Sequence, residues 1–421
     1  YWNIILMNNF LLFILSITVI VTFTKVGGYL SMRLKQPAVV GELLAGIALG
    51  PTVLNMLQWS MFTDQHLGEF IAHLGEFGVI LLMLLAGMHL HLDDLVDSSR
   101  VAGFSGTLGV ITPLLMGWGI CVLFGMPTRT SVFIGLILAA TSVSISAQTL
   151  MELGILRSKV GIAMMGAAVI DDVLVLLGLS IFTALTSSQS TGGIVEIFTI
   201  ILQMIGFFTI SIAAGILFLP RLTNWIDGLH INQGIYLYTL VVALVYSWTA
   251  EVIGGVAAIT GAFLAGLFLS RTLQRDRIIK GVSTIAYSLF VPVFFANIGL
   301  QANARNITGD LIWITSAIII VAVISKLVGC TLGARLGGMN LQESMQVGAG
   351  MISRGEVGLI VATLGLTHGI INQEVFSITV VTVIVVTLVT PIILVRLSEK
   401  TLPDNSNPSI FVFFFTYALS F

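Results

Sequence analysis

LAATSVSISAQTL, residues 138–150, puts Thr141, Ser142, Ser144, Ser146 and Gln148 inside an otherwise apolar run. A membrane helix satisfies its own backbone, and hydroxyls at this density compete for those backbone groups. The stretch therefore predicts a helix that breaks within the membrane. A second stretch, VGAGMISRGEVGLIV at 347–361, repeats the pattern with four glycines plus Ser353, Arg354 and Glu356. Glycine weakens a helix, and charges at membrane depth are costly unless they act on something. A hydroxyl-lined contact between intact helices is the bland alternative for the first stretch. It accounts less well for the second, where an arginine and a glutamate also lie.

The surroundings are a membrane protein throughout. Of 421 residues, 57 % are hydrophobic and 9 % charged, with a mean hydropathy of +1.05. Soluble domains carry about 25 % charged residues. There is no basic face for nucleic acid. Cys121 and Cys330 lie in apolar stretches, so a disulfide framework is not expected. Taking roughly 20 apolar residues per crossing, thirteen segments emerge between residues 10 and 396. They include 38–57, 131–153, 159–185, 252–270, 281–300 and 342–366. Residues 1–9 form an N-terminal extension and 397–421 a C-terminal tail. With the N-terminus outside, fourteen of the eighteen lysines and arginines fall in inward loops or the tail. Arg129 and Arg305 alone fall in outward loops, and Lys326 and Arg354 fall within spans. This asymmetry follows the positive-inside rule and supports both count and orientation.

The two disrupted spans are the fifth and the twelfth, each flanked by intact spans. The offset of seven is odd, so the two triplets run in opposite orientations. Inverted repeats with paired broken helices are the signature of a class of secondary transporters, whose half-helix ends and free carbonyls offer an ion site near mid-membrane. The expected architecture is an all-α polytopic membrane protein with about thirteen transmembrane helices, built as inverted repeats with two crossed broken helices.

The charges left inside point to the same place. IDDVLVLLGL, 170–179, carries Asp171 and Asp172 side by side in the span after the first break. Lys326 lies in the span before the second. Helical neighbours point about 100° apart, so the two acids cannot share one role. One faces Lys326 and the other an aqueous cavity. A purely structural Asp–Lys pair would leave the second acid unexplained. We expect Asp172 to hold either a proton or a cation, which makes the two compete. Alternating access turns that competition into exchange. Carboxylate, hydroxyl and carbonyl oxygens suit a hard cation such as sodium. Thr141 and Ser142 are the nearest candidates for the remaining ligands.

Other polar residues carry more than one reading. Arg354 and Glu356 either neutralise the ends of their own broken helix or serve as a gate or pH sensor; structural support is favoured. Glu42, in QPAVVGELLAGIALGP, is a cavity carboxylate or a residue reaching out from a helix end. Glu76 is similarly ambiguous. His89, His91, Asp93 and Asp94 read as a solvated inner loop rather than a metal cluster. Small residues at Gly46/Gly50, Gly261/Ala265 and Ala262/Gly266 mark faces for close helix contact.

QPAVVGELLAGIALGP, LGEFGVILLMLLAGM, AATSVSISAQTLMELG, AAVIDDVLVL, ISKLVGCTLGARL and ISRGEVGLIVA, in that order, resemble the successive signatures of the monovalent cation/proton antiporter superfamily. The resemblance covers residues 10 to about 396 and is closest to the NapA-type branch, including its GerN-like spore-germination members. It implies an NhaA/NapA-like fold and a homodimer with a mobile core (helices about 101–185 and 311–396) and a dimerisation scaffold (about 10–57 and 196–270). It implies that Asp172 is the ion-binding acid, that Asp171 pairs with Lys326, and that Thr141 and Ser142 sit at the helix break. The Asp-Asp pair with a lysine resembles the electrogenic members; electroneutral relatives carry Asn-Asp. Kef-type potassium efflux proteins carry Gln-Asp and a soluble regulatory domain. One departure is Ala168, where some electroneutral relatives have a serine ligand.

The expected function is Na+/H+ antiport in a bacterial inner membrane, with sodium and protons as partners and potassium or lithium as alternatives. K+/H+ exchange or potassium efflux is the nearest rival, since ligand oxygens alone do not fix ion size. A passive cation channel is the rival from another class; the absence of a repeated filter sequence argues against it. No nucleophile–base constellation or phosphate-cradling loop suggests an enzyme, and no cofactor is expected.

Overall fold

The computed structural model describes residues 9–34, 36–59, 62, 66–186, 193–229, 232–301, 305, 309 and 311–398, with backbone only at 9, 180, 183–186, 193–197, 356 and 367. The helices, in chain order, are α1 (Asn9–Arg33), α2 (Ala38–Leu49), α3 (Leu67–His89), α4 (Leu92–Asp97), α5 (Ser99–Leu123), α6 (Thr128–Ala139), α7 (Val143–Glu152), α8 (Lys159–Thr186) and α9 (Gly193–Leu217). They continue with α10 (Leu219–Gly228), α11 (Gly234–Val252), α12 (Ala258–Leu269), α13 (Arg275–Ile285), α14 (Val291–Leu300), α15 (Leu311–Leu336), α16 (Leu341–Gly350), α17 (Glu356–Thr367) and α18 (Gln373–Ser398). No strand occurs among the described residues. The extension and the tail lie outside them, apart from Asn9, Leu397 and Ser398.

Ten helices or helix pairs are long and apolar enough to cross a membrane, and Ala38–Leu49, Ala258–Leu269 and Val357–Leu366 are shorter apolar helices. Length and composition alone thus do not deliver all thirteen crossings. The expected span 38–57 is the clearest correction. Its helix stops at Leu49, and Gly50 is extended (φ −73°, ψ 179°). Pro51 is the cause, because its ring disfavours helical geometry in the residue before it. The span expected at 281–300 begins earlier, at Arg275, and one wide turn (Ala286–Phe290) joins α13 to α14. The region of His91, Asp93 and Asp94 is not a loop: Asp93 and Asp94 occupy the first turn of α4, where the helix dipole favours acids.

Both disrupted stretches break. After α6, Ala140 (φ −62°, ψ 132°) and Ser142 (φ −97°, ψ 105°) are extended before α7 resumes. α16 opens on a capping box, with the Asn340 side chain accepting from Glu343 N–H at 2.8 Å and Glu343 accepting from Asn340 N–H at 3.1 Å. It ends at Gly350, and α17 starts at Glu356. The two triplets, α5–α6/α7–α8 and α15–α16/α17–α18, share one order: long helix, broken helix, long helix. α5 packs along α15, and each also packs on the last helix of its own triplet, α8 and α18 respectively.

α5 and α15 approach so closely that a Cβ at Gly333 would lie 2.5 Å from Ser105 Cα. The Ser105 hydroxyl donates to the Cys330 carbonyl (3.1 Å) and that of Thr112 to the Ser325 carbonyl (3.0 Å). The remaining helices other than α4, which packs on α5 and α8, form a second packed group, in which α2 and α3 meet α14, and α12 meets α3 and α11. Here too glycines let backbones touch: a Cβ on Gly87 would collide with Phe263 O, and one on Gly266 with Leu84 O.

Candidate functional site

The two breaks satisfy each other. Ser142 N–H donates to the Ser353 carbonyl at 3.0 Å, and the Ser353 hydroxyl donates to the Ser142 carbonyl at 2.6 Å. The Ser146 and Ser353 hydroxyls lie 3.0 Å apart, and Ser146 also donates to the Gly350 carbonyl. A broken helix exposes backbone groups that water cannot reach, so each must find a protein partner. The Ser146 hydroxyl of the first stretch and the Ser353 hydroxyl of the second serve that need. Gly355 is required by proximity: a Cβ there would lie 2.6 Å from Ser142 Oγ.

Arg354 is fully buried. Its guanidinium donates to the carbonyls of Ile352 (2.8 Å), Met351 (3.3 Å) and Ser353 (3.3 Å), and more distantly to Ala322 of α15 (3.5 Å). These carbonyls follow the C-terminal end of α16, where the helix leaves acceptors unsatisfied and partial negative charge. The Arg354 carbonyl is itself held by the Thr387 hydroxyl of α18. The Glu356 side chain lies outside the described residues.

The adjacent acids diverge as helical geometry requires. Asp171 Oδ1 accepts from Lys326 Nζ at 2.6 Å, and both side chains are 0 % exposed. Thr141, at the first break, is buried, and its hydroxyl makes no hydrogen bond. Asp172, 4 % exposed, faces elsewhere. Its Oδ2 accepts from the Thr260 hydroxyl of α12 at 3.1 Å. It lines a small cavity with Met83, Val143, Met165, Ala168, Val169, Ile259, Thr260 and Phe263. Thr141 and Ser142 are not among the residues lining that cavity; Val143 is the first residue after the break to reach it.

A family model described as sodium/hydrogen exchanger, transmembrane, matches residues 17–400. The chain belongs to the sodium/hydrogen exchanger family. This is a family of transporters. The Na+/H+-K+ antiporter GerN of Bacillus cereus is 38 % identical over 380 residues, covering 90 % of this chain and 94 % of that protein. A Na+/H+ antiporter of Enterococcus hirae is 32 % identical over 388 residues, covering 92 % and 98 %. Among solved structures, the sodium proton antiporter MjNhaP1 of Methanocaldococcus jannaschii has the same fold, with a TM-score of 0.69 at 15 % identity over 92 % of this chain and 96 % of that one.

This exchanger also holds a polar cluster of which Glu42 and Gln148 alone stand out in the sequence. Glu42 is buried, and its carboxylate pairs at 3.3 Å with Lys25, whose side chain is 46 % exposed. Glu152, at the end of α7, accepts from Gln148 Nε2 (2.6 Å) and from the Ala38 N–H that opens α2 (2.7 Å). The Tyr287 hydroxyl donates to Gln148 Oε1 at 3.0 Å. Glu152 had a visible signal, an acid four residues after Gln148 at the end of a broken helix. Tyr287 and Thr260 had little. Thr260 is one hydroxyl in a face of small residues, 88 positions from Asp172 in the chain.

Proposed function

We propose that the protein is a secondary active antiporter that exchanges cytoplasmic sodium for protons by alternating access, and that the exchange is electrogenic. The observation that carries this reading is the divergence of two adjacent acids. Asp171 is neutralised by Lys326, while Asp172 looks into a cavity with one hydroxyl opposite. A single carboxylate that holds either a proton or a cation makes the two compete, and access from alternate sides turns competition into exchange. In this reading Asp172 is the carrier, and Asp171 with Lys326 is the charge partner. Thr141 and Ser142 contribute oxygens at the break, with Arg354, Glu356 and Glu42 as supporting charges.

The core comprises helices within about 101–185 and 311–396, moving against a scaffold that includes 10–57 and 196–270. The packing of α2 and α3 on α14, and of α3 on α12, supports adding 67–89 and 275–300 to the scaffold. We further propose a homodimer in the bacterial plasma membrane, with the N-terminus outside and the C-terminus inside. The charge asymmetry of the loops supports the orientation.

Voltage contributes about 2.3 kcal/mol per net charge per 100 mV, so two protons entering per sodium leaving would let membrane potential drive extrusion. Potassium is the second cation to test, because the Bacillus cereus relative is named for K+ as well as Na+. The experiment is proton movement in inside-out vesicles on adding sodium, then potassium, for wild type and Asp172→Asn. Sodium-evoked proton flux that vanishes in the variant supports the reading. Unchanged flux in Asp172→Asn removes that carboxylate as carrier, and current without a proton gradient would identify a channel instead.

A further inference from the structure

A carboxylate inside a membrane protein needs donors, or its charged form is not tolerated. The residues lining the cavity beside Asp172 are Met83, Val143, Met165, Ala168, Val169, Ile259 and Phe263, all apolar, and Thr260. Thr260 is therefore the single polar side chain, besides Asp172 itself, among those lining residues. It is 2 % exposed and donates to Asp172 Oδ2.

The hydroxyl stands on a rigid wall. A Cβ on Gly261 would collide with Tyr246 O of α11, and one on Gly266 with Leu84 O of α3. Such backbone contact holds α12 to its neighbours without slack. Asp172 belongs to α8, which packs with α5, α16 and the α7 half-helix and, on another side, with α9 of the second group. The hydrogen bond thus joins the two packed groups, and it cannot accompany Asp172 if α8 moves relative to α12.

We propose that Thr260 is a positioning residue for exchange: its hydroxyl holds the Asp172 carboxylate in both its ionised and its cation-bound forms, and so sets how sodium and protons divide that carboxylate between them. The inference rests on the reading of Asp172 as the carrier. A donor favours the ionised carboxylate over the protonated one, and only the ionised form takes a cation. On its own helix Asp172 adjoins Asp171, whose carboxylate is paired with Lys326 of α15. Helices α3, α7 and α12 bring no titratable group to the cavity lining. Thr260 comes to this balance from outside the two triplets.

The test compares Thr260→Val, which keeps shape and removes the hydroxyl, with Thr260→Ser, which keeps it. Proton flux is measured in proteoliposomes against sodium and pH, at matched protein levels. In Thr260→Val we expect the half-saturating sodium concentration to rise about tenfold at fixed pH and the activity profile to move about one unit toward higher pH. Maximal rate at saturating sodium stays within about twofold, and Thr260→Ser returns both parameters to wild type. Thr260→Ala carries the test if the valine variant does not accumulate. An unchanged sodium dependence and pH profile in the hydroxyl-free variants overturns the proposal. So does an equal loss of maximal rate in valine and serine variants with sodium dependence intact, which assigns Thr260 to packing alone. Asp172→Asn, assayed alongside, separates the two failures. If it still exchanges, the reading of Asp172 has failed; if it is silent while Thr260→Val matches wild type, only the inference about Thr260 has.

Discussion

Ser142 and Ser353 close each other's break through two opposed hydrogen bonds, N–H to carbonyl at 3.0 Å and hydroxyl to carbonyl at 2.6 Å. Neither residue is accessible to solvent. Ser353→Ala keeps the backbone bond but leaves the Ser142 carbonyl short of a donor in a dry site. The expected cost is about 1–3 kcal/mol, read as a lower melting temperature in detergent. An unaltered melting temperature would mean that the crossing draws no stability from this hydroxyl.

Asp171 and Lys326 form a buried pair, and buried pairs respond asymmetrically to substitution. Removing one partner strands the other charge and costs about 3–5 kcal/mol. Lys326→Met and Asp171→Asn should each destabilise the protein strongly, whereas the double variant should recover much of the loss. Thermal unfolding of all four proteins completes the cycle. Simple addition of the two single effects would deny the pair any coupling. Voltage dependence is the second readout: transport by Lys326→Gln that is still driven by voltage would remove lysine as an obligatory carrier.

Arg354 reaches three carbonyls at one break through one guanidinium nitrogen and the Ala322 carbonyl of α15 through the other, a span that lysine's single nitrogen cannot copy. Arg354→Lys should therefore behave almost as poorly as Arg354→Met. Both should lose about 2 kcal/mol or more from the unsatisfied carbonyls. Folded yield by size-exclusion chromatography and melting temperature are the measurements. Full recovery in the lysine variant would show that charge alone is needed there.

Gly355 lies where a Cβ would fall 2.6 Å from Ser142 Oγ and 2.7 Å from Ser142 Cβ. Gly355→Ala should force the crossing apart by a few tenths of an ångström, costing about 1–3 kcal/mol as overpacking does. Gly103, which has open space around its missing Cβ, is the control: Gly103→Ala should be neutral or slightly stabilising. Equal effects of the two substitutions would contradict the packing described.

Glu152 accepts the N–H of Ala38, across from α7 to the start of α2. Glu152→Ala leaves that N–H and Gln148 without their acceptor. A loss of about 1–3 kcal/mol is expected, and Glu152→Gln, which keeps one acceptor oxygen, should lose less. Identical melting temperatures for the two variants would show that the carboxylate does not hold α2.

Much of the architecture was legible in the chain. Thr141 to Gln148 and Gly348 to Gly358 marked the breaks, because hydroxyls and glycines act on the backbone of their own helix. Pro51 carried the early end of α2 just as locally, though hydropathy hid it under an apolar run to residue 57. The adjacency of Asp171 and Asp172 required divergence from helical geometry alone. What lay beyond reach was the partner of each polar group. Thr260 meets Asp172 across 88 residues, Tyr287 meets Gln148 across 139, and Ala38 meets Glu152 across 114. None of these carries a local pattern. Hydropathy, backbone satisfaction and turn chemistry are properties of neighbours in the chain, so the sequence by itself determined the helices, their interruptions and the buried charges. Which hydroxyl faces which carboxylate depends on how separate helices pack, where glycines admit close contact and where one face turns inward, and only the tertiary structure decided that.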